Sequence, residues 1–217
     1  MKCFSYVVAR DYGFAPNPFS GYCTLATCKP NIRKSADIGD WVIGTGASRV
    51  HGVDRLVFAM QVTEKLMFDE YWADPRFISK RPVMNGSLKQ MYGDNIYHRL
   101  QGRWHQVDSH HSNEDGTINK YNLRRDTSYK FILVSEQFFY FGCNAVRIPL
   151  KFRRHDDTNI CKKGPGYRCD FPEGFAWSFI VWLQTTHHTG YHGDPAWFTH
   201  FERYDGVSKT VRRKLRK

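Results

Sequence analysis

Two short segments of this sequence carry an unusual density of side chains that can exchange protons or bind metal ions. Residues 93–98 read GDNIYH, and residues 108–112 read DSHHS. Aspartate and histidine together can act as a general base and the group that orients it, or as ligands of a hard or borderline metal ion. We therefore take five residues as candidate catalytic residues: Asp94, His98, Asp108, His110 and His111.

A structural loop is the alternative explanation for these two segments. Asp, Asn, Ser and His are common in loops because their side chains make local turn hydrogen bonds. His110 and His111 are adjacent, and neighbours on a regular strand point to opposite faces. Both rings can therefore reach one site only if residues 108–112 form a loop.

The surrounding sequence predicts strands and helices that would position these residues. Apolar or alternating patterns predict strands over residues 3–9, 41–46, 55–65, 129–134 and 145–150, with residues 135–142 joining the last two. In the segment 55–65, Phe58, Met60 and Val62 would share one face of a half-buried strand that pairs antiparallel with 41–46. The economical fold is α+β, with a mixed or antiparallel sheet and flanking helices.

The sequence predicts helices in three segments. Residues 68–74 form a short helix candidate that ends at Pro75, and residues 174–186 are apolar nearly all round, which favours a buried helix. Asp194 and Pro195 have the types expected at the start of a helix that continues to residue 204. The irregular segment 10–30 contains several aromatic residues, so we expect an ordered loop that forms a wall of the site.

Length and composition predict one globular domain over residues 1–205, followed by a basic tail at 206–217. The chain has 217 residues, of which 41% are hydrophobic, so it can bury a sizeable core. Its apolar runs are too short to cross a membrane and its start lacks the pattern of a secretory signal, which predicts a cytoplasmic protein. All six cysteines are then expected as free thiols. The spacing of Cys161 and Cys169 misses the usual zinc pattern, although these two cysteines with a nearby histidine remain an alternative zinc site. The sequence identifies neither a metal nor a cofactor.

The charge predicts an anionic partner. The formal net charge is +11 and the sequence pI about 9.4, and a positive field attracts polyanions such as nucleic acid or nucleotides. Basic residues concentrate at 209–217 and at 151–154, although a basic tail can also be a solvated end. Arg10, Arg49 and Arg76 are candidates to hold phosphate.

Several longer strings carry a family resemblance. The strings are YVVARDYGFAPNPF at 6–19, CTLATCKP at 23–30, GDWVIGTG at 39–46, and the segments 93–98 and 108–112. Together they resemble the nucleotide modification associated domain 2 family over about residues 3–150. That resemblance implies a part in DNA base hypermodification, or in its recognition, in bacteria or phages. Residues 38–62 are also similar to PUA-like and EVE-like barrels, which implies a barrel-like sheet that holds a base.

Two functions remain open at this point. The first is an enzyme that acts on a base or nucleotide through the five candidate catalytic residues, because histidine exchanges protons near neutral pH. The second is a non-catalytic reader of a modified base or nucleotide, for example in phage defence or counter-defence, whose aromatic residues stack on the base. The candidate stacking residues are Trp41, Tyr71, Trp72, Tyr97 and Trp104, and the predicted nucleotide-binding set is Arg10, Trp41, Arg49, Tyr71, Arg76 and Tyr97.

Overall fold

The computed structural model describes residues 1–154, 158–172, 174–208 and 210–213. Its strands are β1 (Cys3–Val8), β2 (Cys23–Leu25), β3 (Trp41–Gly46), β4 (Arg55–Gln61), β5 (Glu64–Met67), β6 (Tyr97–Leu100), β7 (Arg103–Gln106), β8 (Phe131–Ser135), β9 (Phe138–Tyr140), β10 (Val146–Arg147), β11 (Tyr167–Arg168), β12 (Gly190–Tyr191), β13 (Glu202–Asp205) and β14 (Thr210–Arg213). Its α-helices are α1 (Pro30–Ser35), α2 (Phe68–Ala73), α3 (Leu88–Met91), α4 (Lys120–Asp126) and α5 (Phe175–Thr186), and 3-10 helices cover Pro75–Lys80, Gly142–Asn144 and Leu150–Phe152. The α+β class is confirmed.

The chain divides into two compact units, each made of separate stretches. Unit 1 contains Met1–Asp11, Ser35–Glu64 and Ser135–Ala196, and unit 2 contains Tyr12–Lys34, Lys65–Val134 and Trp197–Lys217. Each unit has its own apolar core of buried aromatic and aliphatic side chains.

Unit 1 is built on a mixed sheet in the order β11-β1-β3-β4-β9-β12, with β10 paired to β4. Strands β1 and β3 are parallel, whereas β4 is antiparallel to both β3 and β9. The edge strands β11 and β12 are not paired with each other in the described part of the chain, so the sheet is open. The barrel-like form of the expected fold is therefore not found among the described residues.

Strand β4 lies in the middle of this sheet and is covered on both faces. Residues 56–60 are fully buried, so the prediction of a half-buried strand was wrong. The reason is visible in the sequence LVFAM, an unbroken apolar run of the kind found in strands with two covered faces. Gly44 of β3 allows this packing, because a Cβ there would lie 2.1 Å from the Phe58 ring.

Three further predictions in unit 1 need correction or refinement. Residues 135–142 contain strand β9 rather than a simple connection, and within 145–150 only β10 pairs. Helix α5 is confirmed, but it is not buried all round, since Trp177 is 60% exposed. Its inner face, which includes Phe179 and Leu183, packs in the same core as Trp41.

Unit 2 holds three small sheets around an aromatic core. Strands β2, β8 and β5 form one sheet in that order, while β6 with β7 and β13 with β14 form two antiparallel pairs. The segment that begins at Tyr12 is ordered: Tyr12, Phe14 and Phe19 are buried, and the segment also contains β2, which was not predicted.

The end of the chain differs from its prediction. Residues 194–200 form turns rather than a helix, and β13 follows. In unit 1, the Asp194 carboxylate accepts a hydrogen bond from the Tyr191 hydroxyl at 2.5 Å instead of capping a helix. Part of the predicted basic tail, Thr210–Arg213, is strand β14, whereas residues 209 and 214–217 lie outside the described residues. In the described residues, every helix is too short or too polar to cross a bilayer.

Candidate active site

Unit 2 brings together a cysteine, a histidine and an aspartate that are far apart in sequence. The Cys28 Sγ lies 3.8 Å from the His111 Nε2, and the other ring nitrogen, Nδ1, lies 2.6 Å from the Asp126 Oδ2. His111 and Asp126 are buried, while Cys28 is partly exposed. This is the order of groups in which a thiol nucleophile is activated by an imidazole that a carboxylate orients.

The backbone around Cys28 holds the thiol in an unusual conformation. Cys28 has φ 56° and Lys29 has φ 38°, both in the left-handed region that non-glycine residues seldom adopt. The Cys28 N–H donates to the Asp126 Oδ1 at 2.9 Å, and its carbonyl accepts from the Arg33 Nε at 3.0 Å. Such strain persists only where surrounding contacts impose it, which is common at functional sites.

Asp126 ends helix α4 and is held from several sides. The Tyr97 hydroxyl donates to its Oδ2 at 2.9 Å, and the buried Arg33 guanidinium donates to its main-chain carbonyl. Arg33 also donates to the Phe131 carbonyl of β8 at 2.9 Å. Both carboxylate oxygens therefore have donors, and the group that orients His111 is fixed by the sheet and by α1.

His111 lies in a tight turn over residues 109–112 and not in a strand. Adjacent histidines in a turn are not forced to opposite faces, so His110 and His111 can lie on the same side of the chain. The turn closes with a hydrogen bond from the Ser112 N–H to the Ser109 carbonyl at 3.1 Å. The Asn122 amide of α4 donates to the His111 carbonyl at 3.0 Å. The Phe14 ring packs on the imidazole with 4.7 Å between ring centroids, which limits its rotation.

Electrostatics favour a charged pair. Burial raises the pKa of the Cys28 thiol, but the charge of His111 and its hydrogen bond outweigh burial, and the pKa falls below its ordinary value of 9.0. Burial lowers the pKa of His111, but the Asp126 carboxylate and Cys28 outweigh it and raise the pKa to about 10. Burial raises the pKa of Asp126, yet the His111 charge brings it below its usual range. A thiolate next to an imidazolium is the reactive form of a cysteine nucleophile.

Two cations lie within electrostatic range of the thiol. Burial lowers the pKa of the Lys29 ammonium, and the Cys28 charge partly offsets that effect. Burial also lowers the pKa of the Arg125 guanidinium, but the charges of Cys28 and Asp126 outweigh burial and raise it.

The same three side chains could in principle hold a metal ion, because their donor atoms all lie within 4.8 Å of one another. The geometry fits a proton relay better. The imidazole directs Nε2 to Cys28 and Nδ1 to Asp126, and one ring can give a single metal ion only one nitrogen. Both Asp126 oxygens already accept hydrogen bonds from Cys28 and Tyr97. No other grouping of this kind occurs in the described residues, and Cys161 with Cys169 is not one.

Of the five candidate catalytic residues, His111 alone belongs to this group of three. Asp94 is 1% exposed and accepts hydrogen bonds from the Thr24 hydroxyl at 2.6 Å and the Tyr71 hydroxyl at 2.8 Å. Burial raises the pKa of its carboxyl group, against the effect of the buried Lys80 ammonium. Asp94 therefore belongs to a separate buried polar network.

The remaining three candidates are also placed elsewhere. The His98 ring stacks on Trp72 with 3.9 Å between centroids. Asp108 pairs with the Arg203 guanidinium. The His110 ring stacks beside His111 at 5.4 Å, but its Nδ1 bonds the Glu202 main-chain carbonyl at 2.5 Å.

The predicted nucleotide-binding residues divide into exposed arginines and buried rings. Arg10, Arg49 and Arg76 are exposed, and Arg76 pairs with Asp74 at 2.6 Å. Trp41, Tyr71 and Tyr97 are about 1% exposed, with Trp41 in the core of unit 1 and the two tyrosines in the core of unit 2. The rings of these three residues offer no free face to a base.

Sequence reasoning missed Cys28 and Asp126. Cys28 lies inside the string CTLATCKP, where a cysteine comes two residues before the proline that begins α1. Proline at that position predicts the start of a helix, but it does not indicate which side chain the preceding cysteine meets. Asp126 had no such signal, since it is the last residue of a helix with an ordinary charged sequence.

Comparison with known proteins assigns the chain to a family. The model of the nucleotide modification associated domain 2 family matches residues 1–202, and the chain belongs to that family. This confirms the resemblance found in the sequence and connects the protein with nucleotide modification. Neither the curated proteins nor the solved structures include a match.

Proposed function

We propose that this protein is an enzyme that modifies a base or nucleotide, in bacterial or phage DNA, with Cys28 as its nucleophile. The observation that carries the proposal is the alignment of Cys28, the His111 ring and the Asp126 carboxylate, with 3.8 Å and 2.6 Å between successive groups. The family name supplies the substrate class.

The roles follow from the geometry. The Cys28 thiolate attacks an electrophilic carbon of the substrate, and a carbon–sulfur bond forms as an electron pair moves to a neighbouring oxygen or nitrogen. The His111 Nε2–H donates a proton to that atom, and the neutral imidazole then accepts a proton from a second nucleophile, such as water, an alcohol or an amine. As this nucleophile bonds to the same carbon, the carbon–sulfur bond breaks and its electron pair returns to Cys28 as the thiolate. Asp126 keeps Nδ1 protonated and the ring aligned, as a carboxylate does in other triads of this type.

The cations beside the thiol fit an anionic substrate. Lys29 follows Cys28 directly in the chain, and the Cys28 charge acts against burial to raise the pKa of both Lys29 and Arg125. The Cys28 N–H is bonded to Asp126 and cannot also stabilise a developing negative charge on the substrate. The side-chain cations Lys29 and Arg125 therefore stabilise the negative charge of the substrate. A substrate that carries phosphate, such as a nucleotide, suits these cations.

The reader hypothesis has less support from the aromatic residues that would stack on a base. Trp72 is stacked on His98 at 3.9 Å, and the Arg81 guanidinium lies 3.9 Å from the Trp72 ring centroid. Trp104 packs edge-on against Phe68 at 5.4 Å. At Trp72, these contacts occupy the ring surface that base stacking would need.

The direct test is to trap a covalent adduct. The protein is incubated with a mixture of nucleotides or with denatured phage DNA digests, quenched in acid, and its intact mass is measured. We expect a mass increase that maps to Cys28 and disappears in Cys28→Ala. The exposed Cys143 provides the matched control, and Cys143→Ala should keep the adduct. An adduct or turnover that survives in Cys28→Ala would contradict the proposal.

A further inference from the structure

Unit 1 contains an open cleft of about 1000 Å³ that the proposed chemistry does not use. Its wall includes β11 and the segments before it. Among the described residues, five cationic side chains and one acidic side chain line the cleft. The cations are Arg153, Arg154, Lys162, Lys163 and Arg168, and the acid is Asp170.

Not all of this charge is available. Arg153 pairs with Asp54 at 2.6 Å, and Arg168 pairs with Asp170 at 2.9 Å, so their charges are largely balanced. Arg154 and Lys163 are exposed, and Lys162 lies half-buried between the wall and the solvent. The Lys162 ammonium donates to the Lys163 carbonyl at 3.0 Å, which holds it at the wall. Among the described residues, these three cations give the wall of the cleft a net positive charge.

The arrangement suits a chain of phosphates better than a single one. A site for one phosphate gathers backbone N–H groups and a fork of side chains around one point. Here the three remaining cations come from two separate stretches of the wall, at 154 and at 162–163, and all three have long flexible side chains. Cations spread along an open groove follow the backbone of a nucleic acid without reading its bases.

Tyr167 adds an aromatic surface to the same wall. Its ring is half-buried and leans on Phe4 with 5.7 Å between centroids, so one side is supported by the core. Base stacking on aromatic rings next to a basic groove is typical of single-stranded binding. We propose that this cleft binds the backbone of a single nucleic-acid strand, through Arg154, Lys162 and Lys163.

The test compares two triple variants with equal loss of charge. Arg154→Gln, Lys162→Gln and Lys163→Gln together remove the cleft cations. Arg103→Gln, Lys120→Gln and Lys130→Gln together remove one arginine and two lysines that are exposed in unit 2. Binding of a labelled single-stranded 20-mer, and of the same sequence as a duplex, is measured by fluorescence anisotropy over a series of salt concentrations.

We expect the cleft variant to bind the single strand at least tenfold more weakly at low salt. The slope of log K against log salt should fall by about 2, because each lost phosphate contact removes about 0.7 for a single strand. The control variant should change both quantities much less. Equal losses in the two variants would show a general charge effect and overturn the proposal, as would unchanged binding in the cleft variant.

Two further outcomes are decisive. If the duplex binds more tightly than the single strand and depends equally on the cleft, the strand assignment is wrong. If a nucleoside monophosphate competes at micromolar concentration, the cleft is a nucleotide site instead. Thermal unfolding checks that both variants remain folded. In parallel, formation of the Cys28 adduct is measured with small nucleotides as the substrate, and the cleft substitutions should leave its yield unchanged.

Discussion

Cys28 is partly exposed, has a left-handed backbone conformation and lies next to the His111 imidazole. Cys3 and Cys23 are both buried, and burial raises the pKa of the Cys3 thiol to about 12. The Cys28 pKa moves in the opposite direction because His111 carries a positive charge beside it. The charge of His111 therefore gives Cys28 a lower thiol pKa than that of the buried Cys3.

Alkylation of Cys28 should reveal this difference. With iodoacetamide, the rate at Cys28 should be half-maximal below pH 9.0, because alkylation requires the thiolate and His111 lowers the thiol pKa. In His111→Gln the midpoint should rise, and each unit of increase lowers the thiolate fraction at pH 7 about tenfold. Peptide mass spectrometry follows each cysteine separately. A midpoint that does not move in His111→Gln would contradict the pairing.

Asp126→Asn tests the orienting role. An asparagine can still accept one hydrogen bond, but it cannot stabilise the imidazolium, so adduct formation at Cys28 should fall by about 10² to 10⁴. Stability should fall by about 3 kcal/mol, because a buried charge pair loses one partner. Glu136→Gln, which removes an exposed carboxylate, should change neither measurement. Full adduct yield in Asp126→Asn would exclude Asp126 from the chemistry.

The charged pair also predicts a dependence of stability on pH. The folded His111 pKa, about 10, lies above its ordinary value of 6.5, so its contribution is fully present below pH 6.5 and is lost as the pH rises toward 10. The difference in unfolding free energy between wild type and His111→Gln should therefore be largest below pH 6.5 and shrink above it. Urea unfolding at several pH values measures it; a difference that grows with pH would refute the assignment.

At the scale of elements, a second buried polar network connects the loop before β2 with the segment after α3. The Lys80 ammonium donates to the Asn17 carbonyl at 3.0 Å, to its side-chain oxygen at 2.7 Å and to the Tyr22 carbonyl at 2.9 Å. Asp94 supplies negative charge to this cation, and burial lowers the pKa of Lys80 to about 8. The network holds the chain segment that leads to Cys28, so its effect on the site is indirect.

Asp94→Asn separates these two networks. We expect a loss of about 1 to 3 kcal/mol in stability, because the hydroxyls of Thr24 and Tyr71 lose a charged acceptor inside the core. The Cys28 adduct should fall only in proportion to the folded fraction. Chemical unfolding and adduct yield are measured on the same sample. Unchanged stability with abolished chemistry would restore Asp94 as a catalytic residue.

At the scale of the whole molecule, the net charge of +11 predicts salt-dependent binding of nucleic acid. Deletion of residues 214–217 removes three cations and leaves β14 in place. Affinity for DNA should fall at low salt, and the salt slope should decrease by at most about 3. Titrations at increasing salt measure both quantities. Binding that is absent at low salt, or that does not weaken with salt, would contradict the electrostatic argument.

The sequence alone determined the class of fold, the family and most of the larger elements. Strands β1, β3, β4 and β8 and helices α2 and α5 have local patterns strong enough to identify them. The helix predicted over residues 194–204 is absent because Asp194 and Pro195 begin a turn as readily as a helix. The aromatic residues that follow pack into the core of unit 2. Strand β9 was missed because its apolar run is too short to distinguish from a connection.

Only the tertiary structure decided which chemical groups meet. The dense segments 93–98 and 108–112 contributed one residue, His111, to the group of three side chains, and its partners Cys28 and Asp126 came from other elements. Cys28 and Asp126 are 98 residues apart, and their contact depends on how β2, α1 and α4 pack around Arg33. Local patterns report the period of a helix or a strand. Contacts between distant residues depend on the packing of whole elements, which no local pattern contains.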